Sequence, residues 1–305
     1  MTTVPGRSAL GQARPSVFKA AVRHLRAYWT LVKSLQAGLL LVTGMAGYFS
    51  AGAASNGLGE AASLAASLFL AICGSTVLNM VWDRDIDAMM QRTCRRPLPA
   101  GTVGVREALI LGILLSLTGV AWALMLKPLY GMVVFAGLFL DFAVYTAWLK
   151  RRTVWSIVWG GLAGGMPVLA GRVLATGAID LTGLLLTLAV LFWIPTHILT
   201  FSLRNAQDYA AAKVPVMPNT YGVRTTLAII ASSTVLAALT MVLATWQSGA
   251  GSAFLWATCG LGTLLVISAI LQVFLHSSRL NFILFKMASV FMLAAMAIIM
   301  AGAIK

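Results

Sequence analysis

Three of the chain's eight acidic residues fall together, at Asp83, Asp85 and Asp87, in the run Asn79-Met-Val-Trp-Asp83-Arg84-Asp85-Ile-Asp87. On a helix, positions 79, 83 and 87 drift only about 40° per step. Asn79, Asp83 and Asp87 therefore share one stripe of oxygen ligands, and Asp85 points elsewhere. Two carboxylates and an amide that water can still reach suit a hard divalent cation. Mg2+ in particular takes one or two carboxylates and fills its remaining positions with water and phosphate oxygens. The next segment, Gln91-Arg92-Thr93-Cys94-Arg95-Arg96-Pro97, adds Arg92, Arg95 and Arg96, and guanidinium groups grip phosphate bidentately. Acids for a metal and arginines for phosphate, in one loop, are what a lipid-diphosphate site needs. A solvated loop rich in positive charge would explain the arginines but not the three acids.

These residues must be held by membrane helices. Apolar residues make up 60% of the 305 and charged residues only 10%, against roughly 45–50% and about 25% in soluble domains. A water-soluble fold and a disordered chain are both excluded. Runs of about 20 apolar residues predict nine spans, at 31–53, 60–81, 106–126, 128–148, 154–174, 181–202, 224–246, 252–275 and 283–304. Lys127-Pro128 reads as the turn between two of them. The net charge of +14 reflects topology rather than nucleic-acid binding. All the lysines and arginines except Lys127, Arg172 and Lys305 lie before or at the opening of the first span, or in or at the edge of alternate loops. That places the N-terminus in the cytoplasm and the C-terminus outside. Residues 1–30 read as a basic cytoplasmic arm, with an amphipathic stretch at Phe18–Leu31 that can lie on the membrane surface; residues 31–305 read as one nine-span domain. Cys73, Cys94 and Cys259 have no disulfide, zinc or haem-attachment spacing.

Other polar residues read less sharply. Asp208 follows the sixth span on the same side as the acid cluster, and is either solvated surface or part of the site. His197 and Asp141 fall inside spans, where ionisable groups are costly. His197 reads equally as a structural hydrogen-bonding group and as a group near a substrate ring. Asp141 reads as a buried structural partner or a proton-handling group. Gly160, Gly161, Gly164 and Gly165 read as helix-packing positions.

The string Asn79-xxx-Asp83-x-Asp85-x-Asp87-xx-Met90-x-Arg92-Thr93-xx-Arg96-Pro97-Leu98-xx-Gly101 resembles the first signature of the protoheme IX farnesyltransferases (haem O synthases), within the UbiA-type membrane prenyltransferases. Tyr145-Thr-Ala-Trp-Leu-Lys150-Arg151-Arg152-Thr153, followed by Gly160-Gly161-x-Ala163-Gly164, resembles the family's middle segment. His197, Asp208-Tyr209, Pro215, Met217 and Pro218 resemble its second signature. The likeness runs from about Lys33 to Gly222.

The resemblance implies an all-α membrane protein of nine helices around a central cavity. It implies a Mg2+-dependent enzyme that moves a farnesyl group from farnesyl diphosphate to a vinyl group of haem b. Water adds, and haem O and diphosphate are released. It assigns Asn79, Asp83, Asp87 and Asp208 to metal and catalysis, Tyr145 to catalysis, Arg92, Arg95, Arg96 and Lys150 to the diphosphate, and His197 to the haem. It also implies a plasma membrane, or the mitochondrial inner membrane of a eukaryote, with a haem A synthase or terminal oxidase assembly as neighbour and no nucleic-acid partner. The sequence departs from the pattern at Asn205-Ala-Gln207-Asp208, where one acid is missing, and at Lys213, where Gly is common. Either the second metal half-site is weaker or Lys213 takes part of the diphosphate charge. The rival readings are prenyl transfer to a quinone precursor or lipid, and secondary transport. Transport is disfavoured because the acids sit at a membrane face and the 79–101 segment has no repeat.

Overall fold

The computed structural model describes residues 25–52 and 57–303, and the elements within them are helical, with no strand among the described residues. Most of the predicted arm thus lies outside the described residues. Its last part is the short helix α1 (Leu25–Leu31), which meets the next helix at 51°. The bundle continues with α2 (Ser34–Phe49), α3 (Leu58–Trp82), α4 (Arg84–Met89), α5 (Val105–Leu126) and α6 (Pro128–Phe139). A π-helical stretch, Leu140–Leu149, extends α6 to the end of its span. After it come α7 (Ser156–Thr176), α8 (Leu181–Arg204), α9 (Ala206–Ala211), α10 (Met217–Gln247), α11 (Ser252–Leu275) and α12 (Ser278–Ala303). Among the described residues eight helices are long and apolar enough to cross a bilayer, or nine if the bent α1–α2 pair is counted as one span. Side chains such as Leu114, Leu117, Leu239 and Leu264 are exposed on the outside, as a lipid-facing surface requires.

Local chemistry sets the element ends. Lys127 is extended (φ −150°, ψ 129°) and Pro128 opens α6, where its missing N–H costs nothing; the Lys127-Pro128 junction is a turn. α10 is broken at Gly222, whose φ of 81° and ψ of 170° lie outside the helical region. The apolar part of α10 beyond that break is the predicted seventh span.

Two cores share α7. One gathers Val168 of α7 with Leu186 and Val190 of α8, Ile230 and Met241 of α10, Leu265 of α11 and Leu284 of α12. The other gathers Leu169 and Val173 of α7 with Tyr48 of α2, Leu64 and Leu68 of α3, and Tyr130 and Val133 of α6. α2 and α7 touch backbone to backbone: a Cβ on Gly171 would lie 1.9 Å from the Gly44 oxygen, and one on Gly47 would lie 2.0 Å from the Val168 oxygen. Any side chain at either position would force the helices apart.

At the end where α2 and α7 finish and α3 and α8 begin, the charges close on one another. Arg172 donates to Asp180 Oδ2 from Nε (2.9 Å) and Nη2 (2.7 Å), and to the Ser50 backbone oxygen from Nη1 (2.7 Å). Asp180 also caps α8 by accepting from the Gly183 amide at 2.8 Å. Lys127 pairs with Glu60 at 3.4 Å and donates to the Leu174 carbonyl, and Tyr48 donates to Glu60 at 2.8 Å.

Two small apolar knots build the other end. Ala27 and Leu31 of α1 pack with Val77, Met80, Leu98 and Val103, so α1 is docked on the bundle rather than detached from it. Ile86 and Met90 pack with Ala212, Val214 and Tyr209, which joins the loop after α4 to the loop after α9.

Candidate active site

α3 ends at Trp82, but its hydrogen-bond ladder does not stop there. Asp83 N donates to Asn79 O at 2.9 Å, and Asp87 N donates to Asp83 O at 2.8 Å. Helical register is therefore kept from 79 to 87 across the break. Asp83 and Asp87 are only 5% and 4% exposed, whereas the Asp85 side chain is 58% exposed.

Each carboxylate meets a cation. Lys150 holds Asp83 Oδ2 in a short ion pair. Arg96 Nη1 bridges both oxygens of Asp87, at 2.7 and 3.0 Å. Arg151 forks onto Asp85 with two contacts of 2.7 Å and also donates to the Trp82 carbonyl at 2.8 Å. The Arg151 hydrogen bonds hold the Asp85 carboxyl below the usual carboxylate range. Burial works against the charge of Lys150, but the neighbouring Tyr145 and Asp83 outweigh it and hold Lys150 above the ordinary lysine value.

Two oxygens on this stripe are buried without a hydrogen-bond partner, Asn79 Oδ1 and Asp83 Oδ1. An unmet buried acceptor costs about 1–3 kcal/mol. Two of them one turn apart, on residues that line a cavity, fit a hard divalent cation. Among the described residues no three His, Cys, Asp or Glu side chains stand close enough to cage a metal by themselves. A cation here would need water or phosphate oxygens to complete its shell.

The cavity, about 320 Å³, opens at this end. Among its described lining residues, Lys33, Arg92, Arg96 and Lys150 are cationic against Asp83 and Asp87. The rest of its wall includes aromatic and apolar side chains: Tyr145, Phe201, Tyr209, Phe285, Ile157 and Met217. Arg92 lies between the rings of Phe201 and Tyr209, 5.1 Å from each centroid. Tyr145 stands over Gly160, where a Cβ would come within 3.1 Å of its ring. Gly161, Gly164 and Gly165 meet Leu191, Ile194 and Thr187 of α8, which makes them packing positions.

His197 lines the cavity in a stack of three rings. Trp193 lies 4.9 Å away at 18° and Phe285 4.5 Å away at 22°. Ser289 Oγ lies 3.3 Å from Nδ1, so the nitrogen left for a ligand is Nε2.

Not all the expected residues converge. Asp208 does not line the cavity with Asp83 and Asp87. It accepts from the Arg92 amide at 3.4 Å and lies 3.9 Å from Arg92 Nε, so it anchors the arginine loop instead of completing the acid stripe. Arg95 and Lys213 are exposed and also lie outside the lining. Lys213 sits at the left-handed reversal that follows α9 (φ 53°). Lys33 and Gln36, which carry no ligand signature in sequence, do line the cavity. Lys33 gets there because the chain turns at its own left-handed residue, φ 44°, between α1 and α2. A lysine at the mouth of an apolar span is also what topology demands, so sequence reading absorbed it as a topological charge.

The described geometry has known counterparts. Residues 40–299 match the model of the UbiA prenyltransferase family. A protein of Korarchaeum cryptofilum named protoheme IX farnesyltransferase is 39% identical over 239 residues, covering 78% of this chain and 80% of that one. The fold resembles that of a digeranylgeranylglyceryl phosphate synthase, with a TM-score of 0.77 and 18% identity over 92% of this chain and 98% of the other. It also resembles a UbiA homologue from Archaeoglobus fulgidus bound to GPP and Mg2+, with a TM-score of 0.67 and 17% identity over 90% of this chain and 99% of that one.

Proposed function

The chain belongs to the UbiA prenyltransferase family, and we propose from that premise that it farnesylates haem b at a vinyl group, with addition of water, to give haem O and diphosphate. The relatives at this level of identity are named for that reaction, which favours haem over a quinone precursor or lipid as the acceptor. The observation that carries the mechanism is the pair of unmet oxygens on Asn79 and Asp83, set below a cavity whose lining cations outnumber its carboxylates.

We assign Asn79, Asp83 and Asp87 to a divalent cation, with Mg2+ the natural one. Bound there with the diphosphate, it would neutralise phosphate oxygens and stabilise the charge that develops on the leaving group. In the resting arrangement Lys150 and Arg96 occupy the carboxylates of Asp83 and Asp87. With a divalent cation held by those carboxylates, Lys150 and Arg96 would be free to contact phosphate, beside Lys33 and Arg92, which already line the cavity. Cations held in place at the leaving group favour ionisation of the allylic C–O bond. The electron pair leaves with the diphosphate. The allylic cation is held against the faces of Tyr145, Phe201 and Phe285, which attract positive charge, while Ile157 and Met217 help exclude water. The vinyl π electrons then form the new C–C bond. Water adds to the resulting benzylic-type cation and loses a proton.

His197 is assigned to the haem side, through Nε2 and the flat faces of its stack. We further propose that the acid-bearing mouth faces the cytoplasm, as the arrangement of basic loops requires. Haem extraction from cells expressing the protein tests the reaction. The expected product is haem b heavier by one farnesyl group and one hydroxyl. Unmodified haem alongside a prenylated quinone precursor or lipid would overturn the acceptor.

A further inference from the structure

Asp141 has no place in the mechanism so far, yet it is an ionisable residue within a membrane span. Its Oδ2 accepts from Ser75 Oγ at 2.6 Å and from Asn79 Nδ2 at 2.7 Å. A carboxylate only accepts, and a side-chain amide has one donating end. Asp141 therefore decides which way the Asn79 amide lies. Nδ2 must face Asp141, and Oδ1 is left as the buried acceptor without a partner.

The backbone explains how Asp141 reaches Asn79. Asn79 and Asp83 are one turn apart on α3, so their partners Asp141 and Lys150 must share a face as well. Those partners are nine residues apart. In an α-helix of 3.6 residues per turn they would lie about half a turn apart, on opposite faces. Residues Leu140–Leu149 are instead π-helical, with Lys150 N donating to Tyr145 O at 2.8 Å. A π-helix has about 4.4 residues per turn, which brings positions nine apart back onto one face. The wide helix thus delivers one side chain to each of two adjacent positions on the acid stripe.

We propose that Asp141 is a positioning residue that locks the Asn79 amide with its carbonyl oxygen toward the metal–diphosphate site. This rests on the assignment of Asn79 as a ligand made above. Outer partners of metal ligands typically contribute 10–100-fold in affinity.

The test is Mn2+ titration of the purified full chain, read by electron paramagnetic resonance at saturating non-hydrolysable farnesyl diphosphate analogue. Asp141→Leu should weaken Mn2+ binding by about 10–100-fold. Asp141→Asn should stay within about threefold, because an amide carbonyl can still accept from both donors. If Asp141→Leu does not fold, a swapped pair keeps the question open to experiment. Asn79→Asp alone should bind Mn2+ poorly, because two carboxylates then face each other. Asn79→Asp with Asp141→Asn should recover, because the donor has moved to the other side. Normal affinity in Asp141→Leu, equal losses in Asp141→Asn and Asp141→Leu, or no recovery in the swapped pair would each overturn the positioning role. If Asn79→Ala itself leaves Mn2+ binding unchanged, the ligand assignment fails, which is a separate result.

Discussion

The two ends of the bundle both hold charges among the helices but spend them differently. At one end Arg172, Asp180, Lys127 and Glu60 satisfy one another and nearby carbonyls. That network fastens α2, α3, α7 and α8 together. At the other end each acid also meets a cation, yet Asn79 Oδ1 and Asp83 Oδ1 are left without a hydrogen bond, the latter 3.9 Å from Arg151 Nη2, and cations are in excess in the cavity. A closed network holds a fold, whereas an open one is poised for a ligand. Presence of buried charge does not separate the two; completeness of pairing does.

Substitution should break the ends in different ways. Asp83→Ala and Asp87→Ala should each lower kcat/KM for prenyl transfer by about 10³-fold or more, of the order of 4 kcal/mol, and, because each leaves a cation without its buried partner, should also bring thermal unfolding earlier. Normal turnover by either variant, or full turnover of the wild-type chain in excess chelator, would mean the open end is not the reaction site. Arg172→Ala should cost stability alone. Breaking its pairs should remove about 3 kcal/mol of stability, seen as earlier thermal unfolding in detergent, while the folded fraction keeps its kcat/KM. A large kinetic effect with unchanged unfolding would erase the distinction between the ends.

Much of this was legible in sequence, and the limit is physical. The stripe at 79, 83 and 87 is a local consequence of helical period, as are spans read from apolar runs. The partners of that stripe are not local. Asn79 meets Asp141 across 62 positions, through a π-helix that apolar periodicity does not signal. Asp208 meets Arg92 across 116 positions, a contact between loops that no spacing reveals. The same holds for Arg172 and Ser50, 122 apart. Arg95 and Lys213 carry the right charge, but the turns that hold them leave them outside the cavity.

Two smaller effects sharpen the comparison within the open end. His197→Ala should weaken haem binding or shift its absorption spectrum, and should leave affinity for a farnesyl diphosphate analogue within about twofold, under ~0.5 kcal/mol. Unchanged haem binding with reduced stability would make the ring stack structural, like the charges at the closed end. Asp85→Asn should change kcat/KM by no more than about threefold, under ~0.7 kcal/mol, because Asp85 lies off the stripe and outside the cavity lining. Its effect should appear in acid. The folded-state carboxyl lies below its ordinary value, so its stabilisation is present at neutral pH and is lost as pH falls through and below the carboxylate range. Unfolding curves of the wild type and Asp85→Asn should therefore converge toward low pH. A gap that widens in acid would contradict the Arg151 pairing.

The apolar knot of Ile86, Met90, Ala212 and Val214 makes the arginine loop and the α9 loop a single mechanical plate. Each buries apolar side chains against the other, so moving one alone would expose them. Trimming either side should loosen both, so Met90→Ala and Val214→Ala should destabilise the mouth less in combination than the sum of their separate effects. Two loops more than a hundred residues apart in the chain thus share one apolar contact at the rim of the cavity.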